Sequence, residues 1–157
     1  MVDFDSEKEQ VDQYRIIKPP AIAIQSNTDR GLRYYGIPSG YEFSTLIHSI
    51  TMVGRNRIDI SPELREWSTA VTQKVEIFVF VTSSCPHCPR AASMAHKFAI
   101  LCDHIEGAII EANSFPELTR SYNVMAVPKT VINKSHAFEG TLHESRFAEE
   151  IIKTISL

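Results

Sequence analysis

The sequence predicts an α/β fold: a parallel β-α-β unit, then a helix, an antiparallel hairpin and a last helix, preceded by part of a second copy of that unit. Three observations predict it. Val75–Val81 (Val-Glu-Ile-Phe-Val-Phe-Val) is a nearly unbroken apolar, β-prone run, as expected of a central strand covered on both faces. It runs into Thr82-Ser83-Ser84-Cys85-Pro86-His87-Cys88-Pro89 and then a helical pattern, so two thiols three residues apart stand at a strand-to-helix turn. Finally, the two ends of the chain match. Tyr14-Arg15-Ile16-Ile17-Lys18-Pro19-Pro20 aligns with Tyr122-Asn123-Val124-Met125-Ala126-Val127-Pro128 at an offset of 108, and Gly36 and Phe43 align with Gly140 and Phe147 at an offset of 104.

Taken in order, Ser6 and Glu9 have the spacing of a capping box and open a short helix over about 7–14. Pro19-Pro20 prevents its continuation. Residues 21–25 and 32–35 read as a strand pair around a polar turn, and Gly40 to Val53 reads as a helix with Phe43, Leu46, Ile47 and Ile50 on its inner face. Ser61 as N-cap and Pro62 as first residue open a linker helix whose stripe is Leu64, Trp67 and Val71. The helix beginning near Pro86 carries Cys88, Ala91, Ala95, Phe98 and Cys102 inward, which makes Cys102 a buried, inert thiol. His96 and His104 are assigned to the surface. Gly107–Ala112 is a second strand, parallel to the first because a helix joins them. A short helix from about 115 to 122, a hairpin around Asn133-Lys134-Ser135, and a helix over about 143–155 burying Phe147, Ile151 and Ile155 complete the chain. The order β-α-β-α-β-β-α is the thioredoxin and glutaredoxin topology, with the dithiol at the carboxyl end of the first strand, where ligands gather in open α/β sheets. The expected organisation is a partial unit without C-x-x-C at 1–54, a linker with a helix at 55–74, and a complete unit at 75–157. The partial unit lacks the strand that would flank residues 21–25, leaving an open edge with two expected explanations: the chain is a shortened product of a longer two-unit protein, or a second chain, as in a homo-oligomer, covers the gap.

The totals limit the function. A formal charge of −3 and pI near 6.1 exclude the basic face of a nucleic-acid binder. No run approaches the roughly 18 apolar residues of a membrane span. The acidic start Met1–Glu7 is unlike a secretory signal, so the expected location is cytoplasmic. Three cysteines are too few for a disulfide scaffold, and in a reducing compartment a C-x-x-C is catalytic or metal-binding. A zinc site needs a second ligand pair with metal spacing, which the sequence lacks, so no metal is expected.

The chemistry follows from the thiolate being the nucleophile. Near a helix N-terminus, Cys85 meets free amides and the positive end of the dipole. Pro86 suits the first helical turn, and His87 adds a donor between the sulfurs. These features should bring the Cys85 pKa from about 8.5 into the ~3.5–7.5 range. A stabilised thiolate makes the disulfide more oxidising, toward about −120 mV rather than about −270 mV. Cys85 is then the attacking and Cys88 the resolving thiol. Val127-Pro128 is expected opposite them, with a cis bond taken from the fold and the Val127 backbone offered to an extended substrate. Glu76 and Glu111, on the two central strands, are expected to meet solvent, although either is a candidate proton acceptor for Cys88.

Residues 79–89, Met94-Ala95-His96-Lys97-Phe98-Ala99, Tyr122–Lys129 and Arg33-Tyr34-Tyr35-Gly36-Ile37-Pro38-Ser39-Gly40-Tyr41-Glu42-Phe43 resemble the glutaredoxin-like protein disulfide oxidoreductases of archaea and thermophilic bacteria. That family has two tandem thioredoxin-fold units, each with a C-x-x-C. The resemblance implies that Cys85 and Cys88 are the C-terminal site. Two departures stand out: the N-terminal C-x-x-C is missing with its strand and helix, and the middle pair is Pro-His where the family commonly has Pro-Tyr. The implied activity is thiol–disulfide exchange on protein or small-thiol disulfides. No nucleotide fingerprint is present, so no cofactor beyond the Cys85–Cys88 disulfide is expected, and electrons would come from a thioredoxin-reductase-like protein or a small thiol. A non-catalytic partner subunit of a full-length oxidoreductase, or an iron–sulfur or zinc carrier, are the alternative readings.

Overall fold

The computed structural model describes residues 1–55 and 58–155; Asn56 and Arg57, in the stretch expected to be a linker, and the final two residues, at the end of the expected complete unit, lie outside the described residues. The described elements run α1(Lys8–Gln13), β1(Ala21–Ile24), β2(Leu32–Tyr35), α2(Tyr41–Arg55), α3(Pro62–Ala70), β3(Val75–Val81), α4(Cys88–Leu101), β4(Ile105–Glu111), α5(Pro116–Ser121), β5(Lys129–Ile132), β6(His136–Glu139) and α6(Glu144–Ile152). The strands form one six-stranded sheet in the order β1-β2-β4-β3-β5-β6. β3 and β4 are parallel, Val75 opposite Ile105 through Val81 opposite Glu111, as the joining helix requires. The hairpin β5–β6 adds antiparallel on the far side of β3. The N-terminal hairpin does not make a sheet of its own: β2 runs parallel to β4, and β1 is left at the edge.

Helices α3, α4 and α6 enclose one face, where Phe98 packs against Trp67 at 5.2 Å and Phe147 at 4.9 Å between ring centroids. On the other face Tyr122, after α5, meets Phe78 and Phe80. A third cluster joins α2 and α4 over β1 and β2 through Ile24, Leu32, Met52, Val53 and Ala99. Trp67 docks the linker helix as its stripe predicts, and the Leu64 amide donates to Ser61 Oγ at 3.2 Å. Among the described residues, no helix is long and apolar enough to cross a membrane.

The repeat is visible in backbone detail. Pro20 and Pro128 both follow cis peptide bonds, and Arg15 and Asn123 both have positive φ, 51° and 50°. The Gly36 amide donates to Pro20 O and the Gly140 amide to Pro128 O, each at 2.8 Å. The Ile16 amide reaches Val11 O and the Val124 amide reaches Thr119 O, each at 3.0 Å.

Four expectations are corrected. The Ser6–Glu9 capping box does not form. Asp3 caps the turn before α1 instead, its carboxylate accepting from the Ser6 amide at 2.8 Å while Glu7 accepts from the Asp3 amide at 2.6 Å. Helix α2 presents the opposite face to the one predicted. Glu42, Thr45, Ser49, Met52 and Val53 are buried, whereas Phe43, Ile47 and Ile50 face outward. Helix α4 starts at Cys88, with His87 as N-cap and Pro89 in the first turn, so Cys85 and Pro86 belong to the preceding turn. His96 is not on the surface but fully buried between α2 and β2. The Arg33 carbonyl can only accept, so His96 Nε2 carries the proton (3.1 Å); Nδ1 lies 2.7 Å from Ser49 Oγ, whose single hydroxyl proton is shared between Nδ1 and Thr45 O at 2.9 Å. Burial lowers the His96 pKa to about 4 and keeps the ring neutral.

Candidate active site

The site forms where β3 ends and α4 begins. After Val81, the Cys85 amide donates to Thr82 O at 3.1 Å and closes a tight turn, which delivers Cys85 to the mouth of the helix and Cys88 to its first residue. The two sulfurs are joined as a disulfide with a Cα–Cα separation of 5.4 Å, the fit expected of a C-x-x-C pair. The pair is asymmetric: Cys85 keeps 9% of its surface in solvent and Cys88 none. Pro86 and His87 are exposed on the outer rim, and the His87 side chain makes no capping bond.

Opposite the disulfide lies the cis peptide Val127–Pro128, with Cys85 Sγ 3.8 Å from Val127 O. The sequence-predicted residues Cys85, Cys88, Val127 and Pro128 therefore meet at one place, although 38 residues lie between Cys88 and Val127. Met125, 90% exposed, flanks this segment on the solvent side.

The two strand carboxylates diverge. Glu76 is half-exposed beside Lys134. Glu111, at the carboxyl end of β4, is buried, contrary to the solvent contact expected for it, and accepts from Asn113 Nδ2 at 3.0 Å and from Ser114 N at 2.8 Å. Cys102 is buried as predicted, and burial pushes its thiol pKa up. His104 is exposed.

The sequence reading missed a carboxylate from the other half of the chain. Gly40 approaches the turn before Cys85 so closely that a Cβ there would lie 2.3 Å from Ser83 O, and the Tyr41 amide donates to that oxygen at 3.0 Å. This contact seats the start of α2 against the dithiol turn and carries Glu42 inward. Glu42 is fully buried, and among the described residues neither oxygen makes a well-formed hydrogen bond; the Thr45 hydroxyl, one turn on, partly offsets the effect of burial on its pKa. Tyr34, which feels the Glu42 charge and whose hydroxyl likewise has no partner among the described residues, packs in the same core cluster as Cys85 and Cys88. Burial, with Glu111 nearby, raises the Glu42 pKa to about 7, and burial with both carboxylates raises that of Tyr34. A legible signal existed: Glu42, Thr45 and Ser49 form a polar stripe at i, i+3, i+7 opposite the apolar one.

The site's geometry has relatives. A thioredoxin of Methanocaldococcus jannaschii is 34% identical over 83 residues, 52% of this chain and 98% of that protein. An alkyl hydroperoxide reductase subunit of Pseudomonas aeruginosa is 26% identical over 116 residues, 74% of this chain and 22% of that protein. The chain thus spans about a fifth of the length of the longer curated relatives it matches. Among solved structures, a protein disulfide oxidoreductase from Aeropyrum pernix is similar with a TM-score of 0.86 at 26% identity, over 94% of this chain and 64% of that one. The NTD_N/C domain of alkylhydroperoxide reductase AhpF from Enterococcus faecalis is similar with a TM-score of 0.87 at 26% identity, over 94% of this chain and 72% of that one. Residues 74–153, which hold the disulfide and the cis proline, match the thioredoxin domain. The chain belongs to the thioredoxin-domain family, with a fold shared by the archaeal protein disulfide oxidoreductase and the AhpF domain.

Proposed function

We propose that the chain is a thiol–disulfide oxidoreductase that exchanges electrons through Cys85 and Cys88. The observation that carries this reading is the unequal burial of a bonded C-x-x-C pair facing the Val127 carbonyl. In the reduced form, the Cys85 thiolate attacks a substrate disulfide, forms a mixed disulfide and expels one substrate thiolate. Cys88, protected until then, loses its proton and attacks the Cys85 sulfur. The second substrate thiolate leaves, and the Cys85–Cys88 bond closes with two electrons passed to the substrate. The reverse sequence oxidises a dithiol. Our candidate for taking the Cys88 proton is Glu42, a carboxylate whose pKa burial raises to about 7, on the helix whose start is seated against the dithiol turn. Pro86 and His87, on the rim, bias the equilibrium between thiolate and disulfide. Val127 and Pro128 receive an extended substrate segment as an added strand.

We read residues 1–54 as a partial unit, 55–74 as a connector and 75–157 as the unit that carries the chemistry. The names of the relatives, a thioredoxin, a protein disulfide oxidoreductase and a peroxide-reductase component, support protein disulfides as substrates; the cytoplasmic setting is our reading of the acidic N-terminal segment. A protein reductase or a small thiol supplies the two electrons for each turnover, and no cofactor besides the disulfide takes part.

Dithiothreitol-driven reduction of insulin tests the reading. Cys85→Ser should lose activity by about 10²-fold or more, while Cys88→Ser should accumulate the mixed disulfide. Wild-type rates in Cys85→Ser would overturn it.

A further inference from the structure

We propose that a second copy of this chain covers the N-terminal edge, pairing β1 with β1 and α2 with α2 about a two-fold axis perpendicular to the sheet. The argument begins from the repeat. In the C-terminal half, β5 has a strand on each side, β3 and β6. Beside it, Phe147 and Ile151 of α6 are fully buried, Phe147 against Phe98 of α4. In the N-terminal half, β1 has β2 on one side and, among the described residues, no strand on the other. Phe43 and Ile47 occupy the positions of Phe147 and Ile151 at the offset of 104, yet they are 56% and 48% exposed, and Ile50 is 49% exposed. Among the described residues, no strand lies on the free side of β1, and no helix covers the outward stripe of α2, the side away from α4.

A two-fold copy supplies both at once. It brings its own β1 antiparallel to the first, so the free amides and carbonyls of Ala21–Ile24 pair. The axis keeps both α2 helices on the same face of the joined sheet, so the Phe43, Ile47 and Ile50 stripes meet. The contact is isologous and closes at two copies. Among the described residues of α2, those that border the stripe bring no like charges together. Ser44, Leu46, Thr51 and Gly54, which border the stripe, are uncharged, and Gly54 has open space where a side chain would stand. Strand β1 itself, Ala-Ile-Ala-Ile, lacks the lysine or proline that guards a solitary edge; Lys18, Pro19 and Pro20 all precede it. The exposed area of the three side chains is roughly 300 Å² per copy, the size of a functional patch on a monomer. Two such patches and a paired strand edge reach about 1,000 Å², the lower limit of a specific interface.

Sedimentation equilibrium of the purified chain, from low to several hundred micromolar, tests the proposal. The expected result is a reversible approach to twice 17.7 kDa. Ile47→Asp and Phe43→Asp, at solvent-facing positions, should remain folded by circular dichroism and weaken the dimer about ten-fold or more. Met125→Asp, at an equally apolar but distant position, should not. Amides of residues 21–24 should exchange slowly in the wild type and faster in Ile47→Asp. A single-chain mass at the highest concentration, growth beyond two copies, or a dimer indifferent to Ile47→Asp would each overturn the proposal.

Discussion

The segments β1-β2-α2 and β5-β6-α6 follow the same path and end in opposite burial. Both begin after a cis proline, and both close with a glycine of positive φ bonded back to that proline. Yet Phe147 and Ile151 are core residues, whereas their counterparts Phe43 and Ile47 face solvent. The difference lies in the neighbours. Helix α6 has α4 and Phe98 beside its apolar stripe, whereas α2 turns its polar stripe toward α4, where His96 receives Ser49 and the dithiol turn receives Gly40 and Tyr41. A stripe on a helix records that something packs there; the surrounding elements decide which stripe is inside.

That comparison can be broken by mutation. The largest expected effect on stability is Phe147→Ala, which should cost about 3–5 kcal/mol in urea unfolding because it empties a packed aromatic site. Phe43→Ala at the matching position should cost less than about 1 kcal/mol at dilute, monomeric concentration. Equal losses at the two positions would mean that the halves are packed alike.

The next effect comes from the polar stripe of α2. Glu42 has a folded pKa near 7, above its ordinary carboxylate value, so it favours the folded state while protonated. Its cost is absent below about pH 4.5, grows as the unfolded chain alone ionises, and is complete above pH 7. Glu42→Gln should therefore leave stability unchanged near pH 4 and raise it by about 3 kcal/mol at pH 8. The same variant should flatten the neutral limb of the pH–rate profile for closure of the mixed disulfide.

His96 has the opposite sign and a smaller visible effect in the wild type. Its folded pKa is depressed to about 4, so its contribution is intact above pH 6.5 and is lost as pH falls toward 4. In wild type this loss is partly offset by the protonation of Glu42 over the same range. In Glu42→Gln the acid limb should stand alone, and thermal unfolding between pH 7 and pH 4 should show a steeper decline than in wild type.

Much of this was legible in the sequence. The β3 run, the Ser61–Pro62 helix start, the inward stripe of α4 and the meeting of Cys85 with Val127–Pro128 follow from local pattern and topology. What escaped depended on contacts distant in sequence. His96 looks like a surface histidine until Ser49 and the Arg33 carbonyl, on two other elements, close around it. Glu42 reads as a first-turn helix acid until Gly40 seats α2 against Ser83. The two-residue delay of α4 arises because the turn that closes on Thr82 O uses Cys85 and Pro86 before helical bonding begins.

The most direct measurement of the central claim is the rate at which each thiol of the reduced protein reacts with iodoacetamide across pH, resolved by mass spectrometry. The account predicts that Cys85 reacts first, with a midpoint below about 7.5, while Cys88 is protected. Equal reactivity of the two thiols, or a Cys85 midpoint at the ordinary thiol value of about 8.5, would contradict it.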